Sequence, residues 1–135
     1  MTTTQTDLNL ATGVATSIEE GAFTLAIPGT DYRIHLKHEA PVTEGKRTTG
    51  VITAQAKRID KIRGGGAFLE PVDGRPRRAQ GRVRAIDKAK QTITVFTGAA
   101  PIVFKTDGLQ SAEDFEIGEM VTLGVEPGAL FTPSN

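Results

Sequence analysis

The chain has 135 residues, with 16 basic and 16 acidic side chains, no cysteine and no tryptophan. The lack of cysteine excludes a disulfide scaffold, a thiolate zinc site and a cysteine nucleophile, and no apolar run approaches the roughly 20 residues of a membrane-spanning helix. Residues 1–7 contain neither a basic nor an apolar stretch, so no secretory signal is predicted. We therefore expect a cytoplasmic protein of one or two small domains that has no membrane partner.

Residues that favour strands dominate the composition. The chain contains 9 Val, 10 Ile and 18 Thr but only 8 Leu, a balance typical of half-buried, pleated surfaces. Short alternating runs recur between turn signals and predict an all-β fold of ten strands in two sets of five. In chain order, the predicted strands are residues 13–18, 23–27, 32–37, 49–56, 67–72, 82–86, 92–96, 101–105, 120–125 and 129–131.

The two halves of the chain resemble each other at an offset of 68 residues, which predicts an internal repeat. Identical residues fall together at five pairs of positions, which are Gly13 and Gly81, Ile18 and Ile86, Thr24 and Thr92, Ile34 and Ile102, and Lys37 and Lys105. The offset then becomes 73, because five extra residues lie within 109–115. In that insertion, Ser111 and Asp114 are predicted to cap a short helical turn. Residues 66–71 resemble 128–133, so each is predicted to be the last strand of its half.

Each half therefore contains five predicted strands, with any helical turn between the third and the fourth, which is the order of an OB-like small barrel. The second half also contains a set of short motifs, which are Gly81-Arg82-Val83, Ile86-Asp87, Thr92-Ile93-Thr94-Val95, Ile102-Val103-Phe104-Lys105 and Ile117-Gly118-Glu119-Met120-Val121. By these motifs it resembles small bacterial OB-like β-barrel domains of unknown function, and the resemblance implies a fold without implying an activity. A pair of SH3-like barrels and one larger closed barrel are the alternatives.

The predicted organisation is thus a tandem of five-stranded OB-like barrels. Residues 1–9 are expected to be a flexible tail, residues 10–78 the first barrel and residues 79–135 the second. In the first barrel, a lengthened fourth strand is expected to turn back through the glycines at 64–66 and to form an extended hairpin with the fifth strand. The turn that begins at Asp73 marks the boundary, because the residue before a proline is pushed out of the helical region.

Charge is distributed unevenly, although the net charge is zero. Residues 57–90 contain eleven basic and four acidic side chains, whereas residues 91–135 contain one basic and six acidic side chains. If Val83 faces the core, Arg82 and Arg84 project together from the other face of their strand. Arginine suits bidentate contacts with phosphate. The residues predicted to bind nucleic acid are Arg33, Lys57, Arg58, Lys61, Arg63, Arg75, Arg77, Arg78, Arg82 and Arg84.

This pattern favours a non-catalytic protein that binds a polyanion, RNA or single-stranded DNA, with Phe68 or Tyr32 as stacking platforms. The alternative is a protein–protein adaptor or a homo-oligomer that assembles through the basic junction and the barrel edges. The near-neutral isoelectric point of about 6.7 supports the alternative, because nucleic-acid-binding domains are usually basic.

No catalytic residue, metal ligand or cofactor is predicted. His35 and His38 have the spacing H-x-x-H, but positions i and i+3 of a strand point to opposite faces. The sequence around Gly45 and Lys46 lacks the upstream glycine and the hydroxyl residue of a phosphate-binding Walker loop. We therefore expect a binding protein, not an enzyme.

Overall fold

The fold is given by a computed structural model that describes residues 8–134, so residues 1–7 of the predicted tail lie outside the described residues. The all-β prediction is confirmed, and each of the ten predicted strands overlaps an observed one. The strands are β1 (Leu10–Glu19), β2 (Ala22–Ala26), β3 (Arg33–His38), β4 (Arg47–Ile62), β5 (Phe68–Glu70), β6 (Asp73–Gly74), β7 (Arg78–Asp87), β8 (Thr92–Phe96), β9 (Pro101–Lys105), β10 (Met120–Val125) and β11 (Leu130–Pro133). The strand β6 was not predicted.

Strand pairing closes two rings that have β4 in common. The first ring runs from β1 through β2, β3, β11 and β4 back to β1. The second ring runs from β7 through β8, β9, β4 and β10 back to β7. Each ring contains one parallel contact, between β3 and β11 in the first and between β4 and β9 in the second. All strands therefore belong to one sheet that is held together by β4.

Each ring contains one strand from the other half of the chain, across the predicted domain boundary after residue 78. The first ring is closed by β11, near the C-terminus, and the second is closed by the second part of β4. Within the described residues, β5 pairs with β7 and not with β4, so the expected hairpin between β4 and β5 is not formed. The physical reason is that Ala54, Ala56 and Ile59 continue the buried side of β4 into the second ring.

The core is built from the inward faces of both rings. Its largest fully buried side chains include Phe104, Phe131 and Leu25, which lie on β9, β11 and β2. Alternation places Val83 inside at 1% exposure, while Arg82 and Arg84 are exposed on the same strand. The predicted geometry of these two arginines is therefore confirmed.

A capped turn fixes the connection between β9 and β10. The Ser111 side chain accepts a hydrogen bond from the Glu113 N–H, and the Asp114 carboxylate accepts one from the Ser111 N–H at 3.0 Å. These contacts confirm the predicted cap, which begins a short 3-10 helix over Ala112–Asp114. The Gln110 side chain bonds both the N–H and the carbonyl of Ile59 at 2.8 Å, which ties this connection to β4.

Helices contribute little to this fold. Over residues 8–134, the structure contains no helix with the length and apolar character needed to cross a membrane.

Candidate nucleic-acid interface

All ten predicted cations are exposed, and four of them form ion pairs with carboxylates. Exposed pairs of this kind contribute only about 0–1 kcal/mol to stability, so a bound anion can replace the carboxylate. The four pairs are Arg33 with Asp73 at 3.8 Å, Lys57 with Glu126 at 3.7 Å, Arg58 with Asp60 at 2.9 Å and Lys61 with Glu119 at 3.1 Å.

Lys61 has the most strongly held partner of the four. The Glu116 N–H donates a hydrogen bond to the Glu119 carboxylate at 2.8 Å, and this bond lowers the pKa of Glu119. Burial opposes that effect, whereas the hydrogen bond and charge of Lys61 lower the pKa further. The Lys61 ammonium also lies 5.6 Å from the centre of the Phe115 ring. Lys61 is therefore held in place by the protein itself.

Arg82 and Arg84 share a small concavity on the outer side of β7, which we call the arginine surface. Its volume is about 230 Å³. The Arg82 guanidinium donates a hydrogen bond to the Gly118 carbonyl at 2.8 Å, and the Arg84 guanidinium carbon lies 4.1 Å from the centre of the Phe96 ring. No carboxylate lines this concavity within the described residues. Its lining residues are Gly65, Ala67, Arg82, Arg84, Phe96 and Met120.

Local backbone geometry positions both arginines. The register between β7 and β8 shifts between Val83 and Ala85, so Arg84 is the extra residue of a β-bulge. Such bulges redirect a side chain and recur next to functional sites. Arg82 lies directly opposite Phe96 in the same strand pair. The bulge therefore accounts for the position of the Arg84 guanidinium over the Phe96 ring.

The loop that contains the glycines at 64–66, which we call the glycine loop, forms one wall of the arginine surface. The Gln80 amide donates a hydrogen bond to the Gly66 carbonyl at 2.9 Å, which holds this loop against β7. A side chain at Gly65 would meet the Gln80 amide nitrogen at 2.8 Å, and Gly65 also has a φ of +118°. Only glycine allows this close approach without strain.

The other predicted arginines lie in different places. Arg75, Arg77 and Arg78 line a concavity of about 590 Å³ that also contains Glu70 and Asp73. The Arg78 guanidinium donates a hydrogen bond to the Thr122 hydroxyl at 3.0 Å.

Arg33 lines a third concavity, of about 370 Å³. There the ring of His35 bonds Asp73 at 2.9 Å. Arg63 lies in the exposed loop after β4 and lines none of these three concavities. The structure thus distributes the predicted cations over several surfaces. Of these three concavities, the arginine surface is the one with no carboxylate among its described lining residues.

The aromatic residue beside the arginines is one that sequence reasoning missed. Tyr32 packs against the core, and its hydroxyl accepts a hydrogen bond from the Leu69 N–H at 3.3 Å. Phe68 is half-buried on β5, opposite Gln80. Phe96 instead provides the ring beneath Arg84. The alternation in residues 92–96 contained this signal, because Ile93 and Val95 point inward and place Phe96 outside.

The arginine surface therefore combines two guanidinium groups, an aromatic ring and a glycine loop. This is a set of groups that can contact phosphates and stack on a base. No protein-family model matches the chain, and no curated protein and no solved structure matches it either.

Proposed function

We propose that this is a non-catalytic binding protein for single-stranded nucleic acid, RNA or DNA, and that the arginine surface is the centre of its site. The observation that carries the proposal is the pair Arg82 and Arg84 in a concavity with no carboxylate among its described lining residues, with one guanidinium stacked on Phe96. Arginine contacts phosphate through two parallel hydrogen bonds. Aromatic and guanidinium planes also stack on bases of any sequence. The expected binding is therefore tolerant of sequence.

In the proposal, the remaining predicted cations attract the phosphate backbone of the nucleic acid outside the arginine surface. Arg63, Arg75 and Arg77 are exposed, and the structure shows no side-chain ion pair or hydrogen bond for them within residues 8–134. Such side chains attract a phosphate backbone and give affinity without sequence preference. The ion-paired cations contribute less, because a phosphate must first displace their carboxylates.

We further propose that the two rings are OB-like barrels related by an internal repeat. Gly13 and Gly81, which are 68 residues apart, lie at matching positions, since a side chain at either would overlap the carbonyl of the neighbouring strand. Gly13 pairs with Thr48 of β4, and Gly81 pairs with Val121 of β10. These two partners are 73 residues apart, which is the second offset of the repeat. In this proposal, each barrel takes four strands from its own half and its fifth strand from the other half.

The proposal is tested by titrating the protein into labelled oligothymidylate and oligouridylate of about twenty nucleotides, longer than the roughly 4–16 that one OB fold covers. Between about 50 and 200 mM salt, the logarithm of the association constant should fall with a slope of about −0.7 for each phosphate contacted. The double variant R82E/R84E should bind about a hundredfold more weakly, because two charge-assisted hydrogen bonds of about 1.5 kcal/mol each are lost.

A matched control is the double variant K46E/R47E, which makes the same charge change at exposed positions of the first ring. It should retain most of the affinity. Equal losses in the two variants, or binding that does not depend on salt, would contradict the proposal. Circular dichroism of each variant establishes that the fold is retained.

A second candidate function is self-assembly or adaptor binding, and exposed apolar residues favour it. Leu109 is 95% exposed and Ile117 is 67% exposed. Both lie in a segment, residues 107–118, that contains four acidic side chains and no basic one. Exposed apolar side chains of this kind are typical of an association site. The acidic side chains beside them complement the positive charge of the arginine surface on a second copy of the chain.

In this alternative, light scattering should show oligomers of the wild type, and L109S/I117S should be monomeric. The control variant is V72S, because Val72 is another exposed large apolar residue, at 48%, and it lies in a different loop. A wild type that remains monomeric at about 100 μM, well above the micromolar range of weak complexes, would exclude self-assembly.

A further inference from the structure

A second concavity, which we call the lysine groove, lies where the two rings meet. It has a volume of about 440 Å³, which is within the range of small-molecule sites. It shares no lining residue with the arginine surface. The groove is lined by Thr53, Ala54, Gln55, Lys90, Thr92, Val103, Lys105, Gly128 and Leu130.

Strand register brings these residues together from distant parts of the chain. Thr53 pairs with Leu130 of β11 on one side and with Val103 of β9 on the other. Lys105 pairs with Thr92 of β8. Four neighbouring strands therefore present one continuous outer surface, although β11 belongs to the first ring, β8 and β9 belong to the second, and β4 belongs to both.

Both lysines of the groove are exposed and lack a carboxylate partner. The ion pairs within residues 8–134 involve neither Lys90 nor Lys105. Among the described residues, no acidic side chain lines the groove, and the carboxylate of Asp87, which accepts a hydrogen bond from the Lys90 backbone N–H at 3.1 Å, lies outside the lining. The groove thus carries two positive charges that no described carboxylate neutralises by an ion pair.

Some polar side chains of the groove are already hydrogen-bonded within the protein, whereas others are not. The Gln55 amide donates to the carbonyls of Lys105 and Thr106, at 3.0 and 3.2 Å, so it fixes the backbone beneath Lys105. The hydroxyls of Thr53 and Thr92 have no hydrogen-bond partner in the part of the chain that the structure describes. These hydroxyls are available to a ligand.

The floor of the groove is apolar and open. Val103 is 8% exposed and Leu130 is half-buried. At its edge, Gly128 carries no side chain and has a φ of +105°, with no atom within 4 Å of the place a Cβ would occupy. A flat apolar group can therefore reach the floor without displacing a side chain.

We propose that the lysine groove binds a nucleotide, with its phosphate between Lys90 and Lys105 and its base on the floor formed by Val103 and Leu130. Two lysines with available hydroxyls suit a phosphate, and the apolar floor suits the face of a base. The nucleotide is either free or one unit of a bound strand. Because the groove and the arginine surface share no residue, this site goes beyond the proposed function and is testable independently of it.

The test is a titration of the full chain, followed by the backbone amide resonances, with thymidine 5′-monophosphate and with ribose 5-phosphate. The nucleotide should shift the amides of residues 53–55, 90–92, 103–105 and 128–130. The variant K90E/K105E should bind it about tenfold more weakly or worse, while K46E/R47E should match the wild type. Ribose 5-phosphate should bind severalfold more weakly, because it has no base to cover the floor.

An oligothymidylate titration identifies the source of the nucleotide. If the strand uses the groove, K90E/K105E should reduce the salt slope by about 1.4, or about 0.7 for each lysine. If K90E/K105E leaves the salt slope unchanged but still weakens monophosphate binding relative to the wild type, the groove is assigned to free nucleotides. R82E/R84E should keep the monophosphate shifts even where it loses the strand, so the two proposals fail separately.

Two results would overturn the inference. The first is a monophosphate that shifts no amide of the groove or binds K90E/K105E as well as the wild type. The second is an affinity for ribose 5-phosphate equal to that for thymidine 5′-monophosphate, which would show that the base makes no favourable contact with the floor.

Discussion

Phe131→Ala is expected to destabilise the protein by about 3–5 kcal/mol, the cost of truncating a fully buried aromatic side chain. Phe131 is 0% exposed and packs edge-on against Phe23, with ring centroids 5.4 Å apart. It lies on β11, which closes the first ring between β3 and β4. The loss should therefore appear in the N-terminal half of the chain, although the substitution lies near the C-terminus.

Urea denaturation measures the free energy of unfolding, and hydrogen exchange locates the effect. Amides of residues 22–38 and 50–53 should lose protection before those of residues 92–105. The control Thr132→Ala changes an exposed neighbour on the same strand and should stay within about 0.5 kcal/mol of the wild type. Earlier loss of protection in residues 92–105 would show that β11 supports the second ring instead.

Gly81→Ala should also be strongly destabilising, by about 3 kcal/mol, at the upper end of the cost of overpacking. The added methyl group would overlap the backbone carbonyl of Phe96 and lie 3.2 Å from a Val95 methyl group. A backbone carbonyl within a strand pair cannot rotate away, so β7 and β8 must separate. Because Phe96 supports Arg84, the same variant should weaken nucleic-acid binding at a temperature where it is still folded.

The matched control for this variant is Gly64→Ala. No atom lies within 4 Å of a Cβ at Gly64, and its φ is not in the left-handed region. Its free energy of unfolding should change by no more than about 0.5 kcal/mol. Thermal and urea unfolding of the two variants check the prediction, and equal stabilities would contradict it.

Features that depend on neighbours along the chain were predictable. The alternation around Val83 predicted which side chains of β7 point outward. The spacing of Ser111 and Asp114 predicted the cap before β10. Both predictions depend on interactions within a few residues, where backbone geometry dictates which groups can meet.

Features that depend on distant partners were not predictable. The sequence signal for a strand at residues 67–72 was correct, but it could not show that β5 would pair with β7. The position of Phe96 beneath Arg84 also depends on a bulge between two strands. Hydrogen bonds between strands join backbone groups, which are the same in every residue, so the sequence contains little information about the partner.

The sequence by itself thus determined the class of fold, the segments that form strands and the surplus of positive charge between residues 57 and 90. Tertiary structure alone decided that β11 closes the N-terminal ring, that four of the predicted cations meet carboxylates, and that Lys90 and Lys105 share a groove. Alternation is a local property of the chain, whereas ring closure and ion pairing depend on which remote strands lie side by side.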